Sequence, residues 1–188
     1  MSLAAESTLH EFEIATLPDF ARLPVYEETA LTFAENAAGK ALHYSRCSDE
    51  AVLADDSGLV VPALGGAPGV LSARYAGPNA SDGDRISKLL GEMKGKEGLD
   101  RRAQFVCVIV VALRGRAVTV VSDLARGVLT HEPRGSGGFG YDPIFFFEEL
   151  GRTYSETSDA EKNHYSHRGK AFRKTLYSIS TTNTATFL

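Results

Sequence analysis

The segment AQFVCVIVVAL at residues 103–113 limits the possible folds more than any other part of the chain, because Gln104 is its one polar residue. A strand that is apolar on both faces has to be covered on both faces. The tetrapeptide RGRA at 114–117 then predicts a turn, and VTVVSDLARGVLT at 118–130 is a candidate antiparallel partner. The sequence therefore predicts a buried hairpin at the centre of the protein.

Further helices and strands are predicted before and after this hairpin. Helices are predicted over 32–46, 81–93 and 166–179, and strands over 10–17, 51–54 and 144–147. The first helix begins with Thr32 and Glu35 in capping-box spacing, and Gly39 within it predicts the close approach of another group. A Gly- and Pro-rich stretch at 61–77 predicts loops and turns. The pattern predicts a single α/β domain over residues 1–188 with a mixed sheet.

Charge and composition exclude some classes of function. The 188 residues carry a formal net charge of −4, which argues against a general nucleic-acid binder but leaves room for a local cationic pocket. The sequence contains no apolar run of membrane-spanning length and no signal-peptide pattern. Cys47 and Cys107 are far apart and lack metal-ligand spacing, so they are interpreted as reduced thiols. These features predict a cytoplasmic protein that binds neither nucleic acid nor membranes.

Two pairs of carboxylates are candidates for metal binding. Asp55 and Asp56 follow the predicted strand at 51–54 and precede a Ser-Gly pair that indicates a turn, and strand ends commonly hold ligands in α/β sheets. Glu27 and Glu28 precede the capped helix. A Glu and an Asp from separate loops, with water completing the shell, would suit octahedral Mg²⁺. The alternative is that Asp55 caps a turn and the glutamates are only solvated.

A glycine-rich loop, GSGGFGYD at 135–142, is a candidate for binding a flat ring. Its four glycines let the backbone approach a ligand closely. Phe139 and Tyr141 stand among them, and a large ring in such a loop can serve as a platform for a nucleobase. Asp142 could then accept a hydrogen bond from a ring NH. The alternative is a hairpin loop whose phenylalanine packs in the core.

A cationic segment, EKNHYSHRGKAFRK, is a candidate for binding phosphate. Ser166, His167 and Arg168 begin a predicted helix, where free backbone NH groups favour anions, and Lys162 lies just upstream. The alternative is the solvated start of an amphipathic helix, and no pattern supports His167 as a metal ligand. Taken together, the acidic residues, the glycine-rich loop and this segment describe a ligand with a phosphate chain, a divalent cation and a flat ring. A nucleoside triphosphate has all three.

Several motifs occur in one order along the chain. They are EETALTFAENAAGKA, LADDSGLVVPALGGAPGVLSARYAG, FVCVIVVAL, EPRGSGGFGYDPIFF and EKNHYSHRGKAFRK. Their sequences, order and separations closely resemble those of the Ham1/RdgB family of inosine/xanthosine triphosphate pyrophosphatases. The resemblance covers roughly residues 10–178. The resemblance implies an elongated mixed sheet flanked by helices, in two lobes with a nucleotide cleft between them. It also implies Mg²⁺-dependent hydrolysis of ITP, dITP or XTP to the monophosphate and pyrophosphate, by a homodimer.

The resemblance also implies roles for particular residues. Glu28 and Asp56 match metal ligands, and Asp56 also matches the proton acceptor that would deprotonate the attacking water. Ser57 matches a substrate contact and Lys40 a phosphate contact. The residues that match the base pocket are Phe139, Gly140, Tyr141, Asp142, Lys162, His167 and Arg168. A donor such as Arg168 would prefer the 6-oxo group of hypoxanthine or xanthine to the amino group of adenine.

Two departures from the family pattern stand out. The family begins with a strand and an (S/T)-x-N-x-x-K loop that grips the triphosphate, and neither is found before residue 28. The stretch at 4–20 is interpreted as the tail of the first helix followed by the second strand, so the first strand and phosphate loop are expected to be missing. Leu71 stands where the family usually has an aromatic residue. A catalytically weak nucleotide-binding protein and a hydrolase of another small phosphate ester therefore remain as alternatives.

Overall fold

An antiparallel hairpin of two long strands lies at the centre of the fold. The structure, a computed structural model, describes residues 13–181. Within these residues the strands are β1 (Val52–Val60), β2 (Arg102–Leu113), β3 (Arg116–Leu129), β4 (Phe145–Phe147) and β5 (Arg152–Thr153), which lie in that order in one sheet. The helices are α1 (Phe33–Tyr44), α2 (Asp82–Glu92), α3 (Asp159–Tyr165) and α4 (His167–Thr181). The predicted hairpin of β2 and β3 is confirmed.

Helices cover both faces of β2, as its apolar sequence predicts. Successive side chains of a strand point to opposite faces, so α1 packs on the even-numbered residues and α4 on the odd-numbered ones. The contacts with α1 involve Val108, Val110, Ala112, Ala37 and Ala41, and those with α4 involve Cys107, Ile109 and Ala171. The strand is therefore buried between two helices that approach from opposite sides of the sheet.

A larger core lies at the end of the sheet where β2 begins and β3 ends. Its buried members include Leu59, Leu89, Met93, Phe105, Leu129, Tyr141, Phe145, Phe147 and Tyr154. The ring centroids of Phe105 and Phe145 are 4.7 Å apart in a tilted arrangement that aromatic pairs favour. Because Tyr141 belongs to this core, the core anchors the glycine-rich loop that precedes β4.

The three predicted helices are confirmed as α1, α2 and α4. The Thr32 hydroxyl accepts a hydrogen bond from the amide of Glu35 at 3.2 Å and so caps α1. Ser81 and Asp84 form a complete capping box at the start of α2. None of the helices within residues 13–181 is both long enough and apolar enough to cross a membrane.

The strand predicted over 51–54 is longer than its sequence suggests. It continues to Val60 through paired backbone, so Asp55 and Asp56 lie in the middle of β1 and the predicted Ser-Gly turn is wrong. Gly58 serves close packing instead, since a Cβ there would lie 2.6 Å from the carbonyl oxygen of Gly69. Pairing with β2 over the whole length of β1 decides the conformation of this stretch.

The α/β class is confirmed, but the strand pairing differs from the predicted mixed sheet. Every strand pair within residues 13–181 is antiparallel. Tight turns of a few residues join β2 to β3 and β4 to β5, and such turns can connect only antiparallel strands. Residues 13–17 form no strand, so the predicted strand over 10–17 is wrong for that part. Its first residues, and most of the predicted helix tail, lie outside the described residues.

Candidate active site

The two adjacent aspartates of β1 point to opposite faces of the sheet. Asp55 is in register with Ile109 and Asp56 with Val108, and these partners pack against α4 and α1 respectively. We therefore refer to the α1 face of β1, which carries Asp56, and to the α4 face, which carries Asp55 and Ser57. Among the described strands β1 lies at one edge of the sheet, so a ligand at this edge can reach both faces.

On the α1 face, a lysine ammonium lies between two carboxylates. Lys40 Nζ is 2.9 Å from Glu28 Oε1 and 3.4 Å from Asp56 Oδ1. Arg74 donates a hydrogen bond of 3.0 Å to the Glu28 carbonyl oxygen, and its Nη1 lies 3.9 Å from Glu28 Oε2. The structure thus brings together both predicted metal ligands and the predicted phosphate-binding lysine.

Asn36 fixes this cluster and was missed in the sequence. Its side chain is fully buried, and Nδ2 donates to Asp56 Oδ2 at 3.2 Å while Oδ1 accepts from the amide of Ala30 at 3.1 Å. Asn36 therefore holds both Asp56 and the loop that carries Glu28. The available signal was its position one helical turn before Lys40, which places two polar groups on the alanine-rich face of α1.

Gly39 allows the segment that leads to Glu28 to pass directly over α1. A Cβ at Gly39 would collide with the ring of Tyr26, which confirms the predicted close approach. The amide of Tyr26 donates to the hydroxyl of Tyr44 at 3.2 Å, and this bond fixes the crossing point. The glycine is therefore a structural requirement of the α1-face cluster.

Burial and neighbouring charges shift the pKa values of two groups on the α1 face. Burial raises the pKa of Asp56, and the charge of Glu28 adds to this effect, although Lys40 and Asn36 oppose it. Burial acts to lower the pKa of Lys40, but its hydrogen bond to Glu28 and the neighbouring carboxylates outweigh burial and raise it. The lysine is therefore cationic, while the ionised form of Asp56 is only incompletely compensated.

The donor set on this face fits one hard cation that shares its shell with a ligand. No group of three or more His, Cys, Asp or Glu side chains within residues 13–181 is arranged to hold a metal ion. Mg²⁺ commonly uses one or two carboxylates and completes its octahedron with water and substrate phosphates. Glu28 and Asp56 are two carboxylates of this kind, and the ammonium of Lys40 lies between them.

On the α4 face, four donors converge on one oxygen of Asp55. Its Oδ2 accepts hydrogen bonds from Arg168 Nε at 3.0 Å, Arg168 Nη2 at 2.9 Å and Ser57 Oγ at 2.7 Å, and Cys107 Sγ lies 3.9 Å away. Burial alone would raise the pKa of Asp55, but the guanidinium of Arg168 and the hydroxyl of Ser57 outweigh burial and lower it. Asp55 is therefore stably ionised.

The glycine-rich loop presents one exposed ring beside this ion pair. Phe139 is 62% exposed, which excludes the alternative of a core-packed phenylalanine. The ammonium of Lys162 lies 4.1 Å from its ring centroid and the guanidinium of Arg168 lies 6.0 Å from it, both within cation–π range. The ring therefore lies near two cations and is largely exposed to solvent.

Other residues of the loop hold its shape. Asp142 is buried, accepts a hydrogen bond of 2.8 Å from the amide of Phe139 and forms an ion pair with Lys162. Asp82, at the start of α2, accepts from the amide of Gly140 at 2.7 Å. The hydroxyl of Tyr141 donates to a backbone carbonyl at 3.0 Å, and its ring is buried in the core rather than available to a ligand.

His167 lies at the start of α4 as a neutral imidazole. Its ring stacks on Phe105 with centroids 4.7 Å apart, and Nδ1 has no hydrogen-bond partner among the described residues. Burial, together with the positive charges of Arg168 and Lys162, lowers the pKa of His167 to about 3. The residue can therefore act as a hydrogen-bonding group without carrying charge at neutral pH.

Short contacts across β1 connect the carboxylate–lysine group on the α1 face with the arginine and the aromatic ring on the α4 face. Asp55 and Asp56 are consecutive, and Arg168, which is paired with Asp55, also approaches the ring of Phe139. The segment Gly69–Arg74 forms a second connection, because Arg74 contacts Glu28 at one end and the Ser72 carbonyl accepts from Tyr141 nearby. The acidic segment and the aromatic loop therefore belong to one connected region at the edge of the sheet.

Comparisons with known proteins point to a single family. The sequence model of the Ham1 family matches residues 2–177. The chain is 51% identical over 166 residues to a dITP/XTP pyrophosphatase of Gloeobacter violaceus, which covers 88% of this chain and 80% of that protein. A dITP/XTP pyrophosphatase of Geobacillus kaustophilus is 50% identical over 162 residues, covering 86% and 79%. The solved structure of the Staphylococcus aureus Ham1 protein aligns with a TM-score of 0.80 and 40% identity, covering 88% and 83%.

Proposed function

The chain belongs to the Ham1 family, and from this premise we propose that it hydrolyses the non-canonical purine nucleoside triphosphates ITP, dITP and XTP to the monophosphate and pyrophosphate. The observation that carries the proposal is the arrangement on β1. A carboxylate–lysine cluster on one face adjoins an arginine and an exposed aromatic ring on the other. This edge of the sheet suits a ligand with a polyphosphate at one end and a flat base at the other.

The α1 face is the proposed phosphate and metal end. Glu28 and Asp56 would hold Mg²⁺, and Lys40 would contact the phosphates once a metal ion neutralises the carboxylates. Bound Mg²⁺ would neutralise phosphate charge and lower the pKa of a bound water. Asp56 would accept the proton of the water that attacks phosphorus.

Asn36 holds the Asp56 carboxylate and the loop that carries Glu28 in fixed positions. The hydrogen bond from Asn36 Nδ2 occupies Asp56 Oδ2, so the carboxylate has a defined orientation and directs Oδ1 toward Lys40. The same amide side chain bonds the backbone of Ala30. A preorganised carboxylate pair needs little rearrangement when charge develops in the transition state.

The α4 face is the proposed base end. The exposed ring of Phe139 would stack on the purine, with Gly140, Tyr141 and Asp142 holding the loop in place. Lys162 and Arg168 lie near this ring, Ser57 accepts a hydrogen bond from Arg168, and His167 precedes Arg168 at the start of α4. The guanidinium and the ammonium can only donate hydrogen bonds, so they favour a 6-oxo acceptor and leave the amino group of adenine without a partner.

The proposed assembly rests on the family resemblance, and the proposed location rests on the reduced cysteines. A homodimer in the cytoplasm is the proposed state, consistent with two free cysteines. A nucleotide-binding protein without turnover is not favoured, since relatives aligned over most of this chain are named as pyrophosphatases.

Product analysis tests the proposal. Phosphorus NMR should show ITP converted to IMP and pyrophosphate in the presence of Mg²⁺, and kcat/KM for ITP should exceed that for ATP by about 100-fold or more. Chelation of Mg²⁺ should abolish turnover. Release of orthophosphate would contradict the proposed bond cleavage, and equal rates on ITP and ATP would contradict the specificity. Binding of ITP without turnover would support the non-catalytic alternative.

A further inference from the structure

Asp55 has no assigned part in the proposed reaction, although it is one of the most heavily bonded side chains of the region. It faces away from the proposed metal ligands, toward α4. Its Oδ2 accepts from both Nε and Nη2 of Arg168 and from the hydroxyl of Ser57. So many donors on one oxygen fix the guanidinium in one orientation.

We propose that Asp55 is a positioning residue that sets the base selectivity of the site by holding Arg168 beside the ring of Phe139. The inference rests on the proposed function and adds to it a residue that acts through the arginine rather than on the substrate. Asp55 would contact neither the base nor the phosphates.

The geometry of Arg168 explains why such an anchor is needed. Its side chain is half exposed and has several rotatable bonds, so an unanchored guanidinium would sample many orientations. Asp55 engages Nε and Nη2, and among the described residues no protein group bonds Nη1. Nη1 therefore remains available to a ligand, and the guanidinium as a whole lies 6.0 Å from the centroid of the Phe139 ring. Preorganised donors discriminate between acceptor and donor groups better than mobile ones.

A purely structural role is the competing explanation, and the chain offers a matched control for it. Lys174 of α4 forms an ion pair of 2.7 Å with Asp123 of β3, which also ties a strand carboxylate to a cation on this helix. The described contacts connect neither Asp123 nor Lys174 to Phe139 or Asp55. Asp123→Asn therefore removes a similar tie between strand and helix and leaves the Asp55–Arg168 pair in place; its charge acts on the base end only at a distance, through His167.

The experiment compares Asp55→Asn, Arg168→Ala, their double variant and Asp123→Asn. Steady-state kinetics with ITP and ATP give KM and kcat, and calorimetry gives the affinities for IMP and AMP. Asp55→Asn should raise KM for ITP about tenfold, with a smaller change in kcat, and lower the ITP to ATP ratio of kcat/KM about tenfold. The double variant should match Arg168→Ala within about twofold, because Asp55 acts only through the arginine. Asp123→Asn should leave the selectivity within about twofold of wild type.

Several results would overturn the inference. If Asp55→Asn lowers ITP hydrolysis by the same factor in the wild-type and Arg168→Ala backgrounds, Asp55 does not act through Arg168. A loss of kcat with unchanged selectivity, or the same loss of selectivity in Asp123→Asn, would also contradict it. If Asp55→Asn does not fold, Asp55→Glu probes the same contact and leaves Arg168 intact, because glutamate keeps the charge but moves the carboxylate away from its place beside Nε and Nη2. It should show the same loss of selectivity, and wild-type selectivity in this variant would refute the role.

The binding measurements separate this inference from the proposed function. If wild-type protein released no pyrophosphate from ITP, the proposed function would fail, while a preference for IMP over AMP that depends on Asp55 would still support the positioning role. If the wild type were active and selective but the Asp55→Asn variant kept both properties, only the further inference would fail.

Discussion

The two faces of β1 carry neighbouring aspartates whose pKa values are shifted in opposite directions. On the α1 face, burial raises the pKa of Asp56 in spite of a lysine 3.4 Å away. On the α4 face, an arginine and a serine hydroxyl lower the pKa of Asp55. Carboxylates whose environments separate their pKa values are often assigned different tasks. The strand therefore carries, on one side, a carboxylate whose ionised form is disfavoured by its surroundings and, on the other, one whose ionised form is favoured.

This difference indicates a division of labour at the edge of the sheet. A carboxylate that is destabilised when ionised is suited to binding a cation and accepting a proton. A carboxylate that is stabilised when ionised is suited to holding another side chain in place. If both aspartates pointed to the same face, the carboxylate that binds the cation and the carboxylate that holds the arginine would not be separated.

Asp56→Asn should produce the largest effect on activity. It removes the proposed proton acceptor and one metal ligand, so kcat for ITP should fall about a thousandfold, near the middle of the range for general-base catalysis. Rapid-quench or steady-state assays of pyrophosphate release measure this loss. Asp55→Asn is the matched variant on the other face and should keep kcat within about tenfold of wild type. Comparable losses of kcat in the two variants would remove the distinction between the faces.

Phe139→Leu should have the next largest effect, confined to binding. Stacking of a base on an aromatic ring contributes about 1–3 kcal/mol, so KM for ITP should rise about tenfold or more while kcat changes less. Tyr177→Leu is a suitable control, because Tyr177 is 70% exposed on α4 and lies in the last part of that helix. If both variants have wild-type KM, Phe139 does not stack on the base.

The smallest predicted effects are changes in stability of opposite sign. The pKa of Asp56 is higher in the folded state than in the unfolded state, so folding makes its negative charge less favourable. Asp56→Asn removes this charge and should therefore raise Tm at pH 7. The folded pKa of Asp55 lies below its unfolded value, so Asp55→Asn should lower Tm. The prediction is the sign of each change in Tm, measured by differential scanning calorimetry.

The pH dependence of the two changes in Tm tests whether ionisation of the aspartates causes them. Stability from the ionised Asp55 is present above the unfolded pKa of about 3.9 and is lost as the pH falls through the lower folded value. The advantage of an uncharged residue at position 56 disappears below about pH 3.9, where the aspartate is protonated in both states. Differential scanning calorimetry from pH 7 to pH 3 should therefore show both differences decreasing toward zero. Shifts of the same sign at pH 7 would contradict the assignment.

Local sequence patterns predicted much of the fold. The cap of α1 follows from Thr32 and Glu35, and the burial of β2 on both faces follows from its apolar side chains. Gly39 correctly indicated a close neighbour. These features depend on residues within one element, so a single sequence contains the information that specifies them.

The remainder depends on contacts between distant residues. The length of β1 could not be predicted, because its Asp-Ser-Gly sequence is typical of a turn and only pairing with β2 makes it a strand. Asn36 bonds Asp56 twenty positions away, and Arg168 pairs with Asp55 across 113 positions. Which face each aspartate occupies is decided by register, and one residue of slippage would exchange them.

The ratio of kcat/KM for ITP to that for ATP, compared between variants on the two faces, tests the division of labour most directly. Glu28→Gln, on the α1 face, should lower kcat/KM for both nucleotides by a similar factor and leave the ratio within about twofold of wild type. Arg168→Ala, on the α4 face, should lower the ratio about tenfold or more. A change in the ratio in Glu28→Gln as large as that in Arg168→Ala would show that the two faces do not have separate tasks.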